Sequence, residues 1–343
     1  MAGRKKIFVL MVVLVMGLLL WGCSTQEAGF GEENSEEAVA QGDVVKIGIS
    51  QLVEHPALDS AREGFIDGLA SKGFKDGENI SIKFENAQGD IPTTQLIAQN
   101  FVDEGVDMIF AIATPAAQSA FNITKEIPIL ITAVTDPVEA GLAEAWEASN
   151  TNVTGTSDMT PIKEQLTLLK ELLPEASKVG ILYNTSEINS EIQVEQAKEQ
   201  GEGMGLEIIT TGVTNANEIP QALNALLDQV EVLYLPTDNL VASSLPLIIN
   251  ETDQKGIPVI GSEKAHIEGG ALATEGIDYY ELGFQTALMA VDVINGKQPG
   301  DLPISTLEKT QLVINRDSAE SLGIDIPKSL LERGEIIQGG SNS

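Results

Sequence analysis

From Val44 onward, apolar and polar positions follow a repeating order. A run of aliphatic and β-branched residues is followed by a stretch whose apolar residues recur every three or four positions. Val45 to Ser50 predicts a strand, and Pro56 to Lys72 predicts a helix that Gly73 stops. Ile80 to Phe84 predicts the next strand, Pro92 to Glu104 the next helix and Val106 to Ala113 the third strand. Pro115 to Thr124 is then helical, and Ile127 to Val134 is strand again. The central runs are continuously apolar rather than alternating, as in strands covered by helices on both faces. Alternation of strand and helix implies an α/β fold with a parallel, doubly wound sheet.

A second pass of the same pattern begins near Thr160. Lys178-Val179-Gly180-Ile181-Leu182 echoes Lys46-Ile47-Gly48-Ile49, each opening a sheet. Val232 to Leu235 stands where Val106 to Ala113 stood, and Ile257-Pro258-Val259-Ile260 repeats Ile127-Pro128-Ile129-Leu130. Two halves of one design imply two similar lobes. The C-terminal remainder comprises a long helix over Asp278 to Asn295, a Gly/Pro turn region to Pro303, a strand at Gln311 to Asn315 and a segment Pro327 to Arg333. It is too small to stand alone. The economical reading returns the chain to lobe one and crosses it again to lobe two. Residues 44–157 with 279–306 then form lobe one, and residues 158–278 with 307–335 form lobe two, joined by a multi-strand hinge.

The leader sets the expected compartment. Arg4, Lys5 and Lys6 precede an uncharged apolar run, Ile7 to Gly22, that is short for a bilayer span of about 20 residues. Residues 1–22 therefore read as a signal peptide. Leu20-Trp21-Gly22-Cys23 resembles a bacterial lipobox, with Trp21 departing from the small residue usual there. Cys23 is the only cysteine, so it is the expected lipidation site and membrane anchor, and no intramolecular disulfide is possible. Residues 23–43, rich in Glu, Gly, Ser, Gln and Ala, read as a flexible tether. Without the leader, 17 cations face 51 anions, a net charge of −34 that argues against nucleic acid and anionic membrane surfaces as partners.

In open parallel sheets, ligands bind at the carboxyl ends of strands. Val106 to Ala113 ends in Thr114-Pro115-Ala116-Ala117-Gln118. Thr114 suits an N-cap and Pro115 the first helical position, leaving the N–H groups of Ala116 and Ala117 to meet a carboxylate or phosphate. The run to Val134 ends in Thr135-Asp136-Pro137, where Asp136 can cap and Thr135 can face a cleft. In the second half Tyr183-Asn184, Thr237-Asp238-Asn239 and Ser262-Glu263 occupy the matching ends. Hydroxyls and helix N–H groups on one lobe against carboxylates on the other suit a zwitterion, its ammonium on Asp238 or Glu263 and its carboxylate at the Thr114 turn. A helix cap is an equal alternative for each acid.

Gln51 and Glu54 follow the first strand and face the expected cleft. His55, before Pro56, reads as a turn residue. With His55 and His266 the only histidines, neither His-based triads nor metal clusters are supported. No G-x-x-x-x-G-K-[ST] or G-x-G-x-x-G stands at a strand-to-helix turn. No cofactor is expected.

These residues resemble the ABC-transporter substrate-binding proteins of the tryptophan/tyrosine-binding type. The likeness is carried by Gln51 to Asp59, Thr114 to Gln118, Thr132 to Val138, Val153 to Asp158, Tyr183-Asn184, Gly276 to Gly283, Leu312 to Asn315 and Leu322 to Pro327. The resemblance implies a type I periplasmic-binding-protein fold with three crossovers, an aromatic amino acid as ligand, and a permease and its ATPase as partners. It also implies that Gln51, Thr114, Ala117, Thr135, Asp136, Asp158, Tyr183, Asn184, Asp238, Asn239 and Glu263 line the cleft. Tyr183 is the expected aromatic wall, whereas Trp146 sits in a helical stretch and reads as packing. The alternatives are a sensor presenting its closed form to a membrane receptor, a binder of a sugar or nucleoside, and an enzyme, for which no nucleophile and base are suitably spaced.

Overall fold

The computed structural model describes residues 44–307 and 309–339. The expected signal peptide, the tether and Cys23 lie outside the described residues. The first lobe opens with β1 (Val45–Gln51), α1 (Pro56–Ser71), β2 (Ile80–Asn86), α2 (Ile91–Glu104), β3 (Met108–Ile112), α3 (Thr114–Ile123), β4 (Ile129–Val134) and β5 (Val153–Ser157). After a first crossover come α4 (Ile162–Leu172), β6 (Lys178–Asn184), α5 (Ile188–Gly203), β7 (Glu207–Val213), α6 (Ile219–Leu227) and β8 (Val232–Leu235). The same lobe continues with α7 (Asn239–Ser243), α8 (Leu245–Lys255), β9 (Val259–Gly261), α9 (Lys264–Glu268) and β10 (Ala273–Gly276). The chain then returns through α10 (Tyr279–Ile294) and β11 (Ser305–Thr306). It crosses a third time into β12 (Gln311–Asn315), α11 (Arg316–Leu322), α12 (Lys328–Arg333) and β13 (Glu335–Ile337).

Two sheets result. The first runs β2-β1-β3-β4-β5-β11 and the second β7-β6-β8-β9-β10-β12-β13, so the segments that echo each other in sequence take matching places. Pairing in the first sheet is parallel throughout; in the second, β12 runs antiparallel to β10. That one reversal follows from how the last crossover enters, with no helix between the lobe boundary and the strand.

Continuous apolar runs form buried strands because each sheet has helices on both faces. In β3, Met108, Phe110 and Ile112 join the layer under α1 and α10, while Ile109 and Ala111 join the opposite layer with Phe101 of α2. Phe65 stacks on Phe110 with ring centroids 3.7 Å apart. Lobe two repeats this with Val232 and Tyr234 on one side of its sheet and Leu233 and Leu235 on the other. Trp146 packs against the α2–α3 layer of lobe one.

One irregularity shapes the lobe interface. The register of β4 against β5 shifts between Ile131 and Val134. Gly155 sits opposite at φ +140°, where a Cβ would lie 2.1 Å from the Ile131 carbonyl oxygen, so no other residue fits. On the shifted strand Ala133 takes φ +54°, bringing it to the edge that faces lobe two.

Candidate functional site

Strand ends of both sheets converge on one narrow, nearly filled cavity with about 10 Å³ of free volume. Lobe one contributes His55 and Leu58 from the start of α1, Ala133 from β4 and Tyr279 from the start of α10. Lobe two contributes Thr237, Asp238, Asn239 and Ala242 from the β8–α7 turn, and Glu263 ahead of α9. Asp158, in the first crossover, completes the lining. The lobes meet directly around it. His55 Nε2 is 3.5 Å from Asn239 Oδ1, and Gln193 Nε2 donates to Thr135 Oγ1 at 3.5 Å. Outward of Asn239 lies a wider mouth, also shared by both lobes, with Leu52, Val53 and Ile91 facing Asn184, Glu187 and Leu240.

The buried carboxylates divide into two kinds. Asp238 is fully spent on lobe two: it caps α7 by accepting from the Val241 N–H at 2.9 Å and accepts from the Asn184 N–H and the Ser190 hydroxyl. Glu187 likewise accepts from the side chains of Asn184, Asn189 and Asn239. Burial, and then the charge of Asp238, pushes its carboxyl up to about 7.

Asp158 and Glu263 serve no cap. The Tyr279 hydroxyl donates to Asp158 Oδ2 at 2.6 Å, and Thr135 Oγ1 donates to Asp158 Oδ1 at 3.1 Å. Glu263 lies against the same Tyr279 hydroxyl. Burial, and then the neighbouring Asp158 charge, pushes the Glu263 carboxyl up to about 8, and burial raises Asp158 as well. Neither Lys nor Arg is among the residues lining the cavity.

Both histidines stand beside this pair, one from each lobe. His266 Nδ1 accepts from the Ser262 N–H at 3.3 Å, so the neutral ring carries its proton on Nε2, which is 3.3 Å from Glu263 Oε1 but out of line for a hydrogen bond. Burial, and then the nearness of His55, lowers His266 to about 3; burial lowers His55 to about 4. Both rings are therefore neutral at ordinary pH.

Of the residues expected from the sequence, Asp158, Thr237, Asp238, Asn239 and Glu263 come together in the cavity, and Asn184 lies at the mouth. Thr135 stands one hydrogen bond away. The Thr114 turn differs from its expectation. Helix α3 begins at Thr114 itself, its N-cap is Ala113 at φ +84°, and the Ala117 N–H closes on the Ala113 carbonyl at 3.0 Å. Thr114 Oγ1 is buried without a partner, as is Ser50 Oγ at the tip of β1. Ala116 is fully buried beside that tip.

The others point elsewhere. Gln51 donates to Asp59 and accepts from Arg62 within lobe one, and Glu54 is exposed. Asp136 caps its own turn through the Val138 and Glu139 N–H groups. Tyr183 packs over Gly212 on the neighbouring strand rather than into the cavity. Sequence reasoning missed His55, Leu58, Ala133, Ala242, Glu187 and Tyr279. The Asp278-Tyr279 step was visible as a helix start, since Asp278 caps α10, but nothing local showed which way the ring would turn.

Two lobes on a three-crossover hinge, shut over a cavity lined by strand ends, define a solute-binding protein of the type I periplasmic kind. Residues 46–336 match the family model described as ABC transporter substrate binding protein, and the chain belongs to that family. Its members bind solutes rather than transform them. The chain is 45% identical to a Tyrosine-binding protein of Clostridioides difficile (strain R20291), over 100% of this chain and 99% of that one. A crystal structure of an ABC domain in complex with L-Trp from Streptococcus pneumonia is 38% identical, with a TM-score of 0.83 over 85% of this chain and 99% of that one. A substrate binding protein with adhesive properties from Clostridium difficile, solved ligand-free and open, is 49% identical over 86% of this chain and 99% of that one, yet its TM-score is 0.66. The lower score at higher identity fits a difference in lobe disposition, since here the cleft is shut. Among the described residues, no helix is long and apolar enough to cross a membrane.

Proposed function

We propose that this protein is the extracytoplasmic, lipid-anchored receptor of an ABC importer and that it takes a zwitterionic aromatic amino acid, tyrosine or tryptophan, between its lobes. The observation that carries the reading is the Asp158–Glu263 pair, buried at a cavity wall whose lining includes no lysine or arginine. An ammonium group is the charge such a pair accepts best. The ligands of the two relatives, tyrosine in one name and L-Trp in the other, have that group.

The cavity's free volume of about 10 Å³ lies far below the roughly 300–1,000 Å³ of ordinary small-molecule pockets, so the lobes part to admit a solute. The mouth, about 270 Å³, takes the aromatic side chain against Leu52, Val53, Ile91 and Leu240. Closure is the signal that the permease reads, because contacts to both lobes exist only in the shut form. The lobes divide at residues 157/158, 278/279 and 306/307, and Cys23 holds the anchor.

Calorimetric titration of the purified protein with the twenty common amino acids tests the assignment. Tyrosine or tryptophan is expected to bind at least tenfold more tightly than leucine or glutamate. Binding of a sugar or nucleoside with no response to any amino acid would remove the reading. Metabolic labelling with a palmitate analogue, lost in Cys23→Ala, tests the anchor.

A further inference from the structure

The two carboxylates that serve no cap present a charge problem. Asp158 and Glu263 are 3% and 2% exposed, come from the first crossover and from the turn ahead of α9, and line one cavity beside the Tyr279 hydroxyl. Two anions cannot both be ionised in such a place without a counter-charge, because desolvating each costs several kcal/mol and they repel one another.

The groups facing them from every packed element leave no side chain to supply that charge. On α9 stands His266, and on α1 stands His55, both neutral. Asp59 of α1 is occupied by Arg62 and Gln51 at 2.9 Å. Tyr279 opens α10, its neutral hydroxyl donating a hydrogen bond to Asp158. From α7 comes Asp238 and from α5 Glu187, further acids rather than cations.

The hydrogen-bond directions show where a proton fits. The Tyr279 hydroxyl donates to Asp158, as does Thr135, so Asp158 is the acceptor end. Glu263 lines the same wall, its Oε1 3.3 Å from His266 Nε2, and among the described residues it has no hydrogen bond that requires it to be charged. A proton on Glu263 beside the Asp158 carboxylate leaves one negative charge overall.

We propose that the shut cleft always holds one positive charge between Asp158 and Glu263, a proton before the solute arrives and the solute's ammonium group afterwards, exchanged one for one. The balance is closed: Glu263 gives its proton to solvent, the ammonium takes its place, and the site keeps one net negative charge. A neutral solute cannot make this exchange, so the cleft selects primary amines by charge. A rise in pH favours loading, because it removes the competing proton. The exchange rests on the amino-acid reading above, whereas the proton itself does not.

Two measurements on the purified protein test this separately. Infrared spectra without amino acid at pH 7 are expected to show a buried carboxylic acid C=O band that Glu263→Gln removes; a wild-type spectrum without the band overturns the proposal. Calorimetry with L-tyrosine and L-tryptophan at pH 7, in phosphate and in Tris, is expected to give heats that differ by about one buffer ionisation per ligand bound. Binding with equal heats in the two buffers overturns the exchange and leaves the proposed function standing. The band present with neither amino acid bound overturns the exchange and the proposed function together and leaves the proton standing. The wild-type arms need no variant to fold.

Discussion

Helix α10 leaves lobe two, packs on lobe one and opens with Tyr279, so its seating controls both stability and the site. It lies on α1 through glycines. A Cβ on Gly283 would stand 1.8 Å from the Ala61 carbonyl oxygen, and one on Gly64 2.0 Å from the Tyr280 oxygen. Gly283→Ala must therefore push the α1 and α10 backbones apart by roughly 1.5 Å to reach ordinary contact. Overpacking against backbone stands at the upper end of its usual range, about 3 kcal/mol. Alanine's better helix propensity offsets about 1 kcal/mol of that. The net loss of about 2 kcal/mol lowers the melting temperature by about 5 °C. Because Gly283 lies one turn beyond Tyr279, the same shift lengthens the 2.6 Å bond to Asp158 and weakens ligand binding. The control is Gly203→Ala at the end of α5, where an added Cβ meets nothing within 4 Å and the substitution raises stability by up to about 1 kcal/mol. Thermal melts of the two variants beside wild type decide it. Equal or higher melting of Gly283→Ala would refute the close-packing argument.

The buried titrating groups give two further outcomes. With its folded pKa raised from 4.5 to about 8, Glu263 holds a proton that the unfolded chain releases, so stability falls as pH rises from 4.5 to 8 and is level beyond. At pH 7 the loss is about 3 kcal/mol, and Glu263→Gln removes that slope in urea denaturation at pH 5 and pH 8; parallel slopes in the two proteins would contradict it. His266 is the opposite case. Its folded pKa lies at about 3 against 6.5 unfolded, so unfolding takes up a proton and stability is lost as pH falls below 6.5. His266→Gln is expected to retain up to about 2–3 kcal/mol more than wild type on going from pH 6.5 to pH 4.5, measured the same way.

What the sequence determined by itself is the two-fold repetition. Apolar runs such as Met108–Ile112 and Val232–Leu235 are buried on both faces wherever they land, so their composition alone declared central parallel strands. The return of the chain was also legible, since a segment as short as Gln311–Asn315 has no core of its own and must complete a sheet begun earlier. Strand ends likewise announced Asp238, Asn239 and Glu263 as residues near a cleft, and the family resemblance added Asp158.

Only the tertiary structure decided which of these acids has oxygens to spare. Asp238 and Asp136 bond to N–H groups two and three residues onward, as caps do, but Asp238 also takes donors from Asn184 and Ser190 about fifty positions away. Asp158 and Glu263 lie 105 positions apart and line one cavity with Tyr279 only because three crossovers bring their segments to one place. Local pattern fixes the secondary structure and the direction of burial; a binding site made where two lobes touch depends on distances that no local pattern encodes.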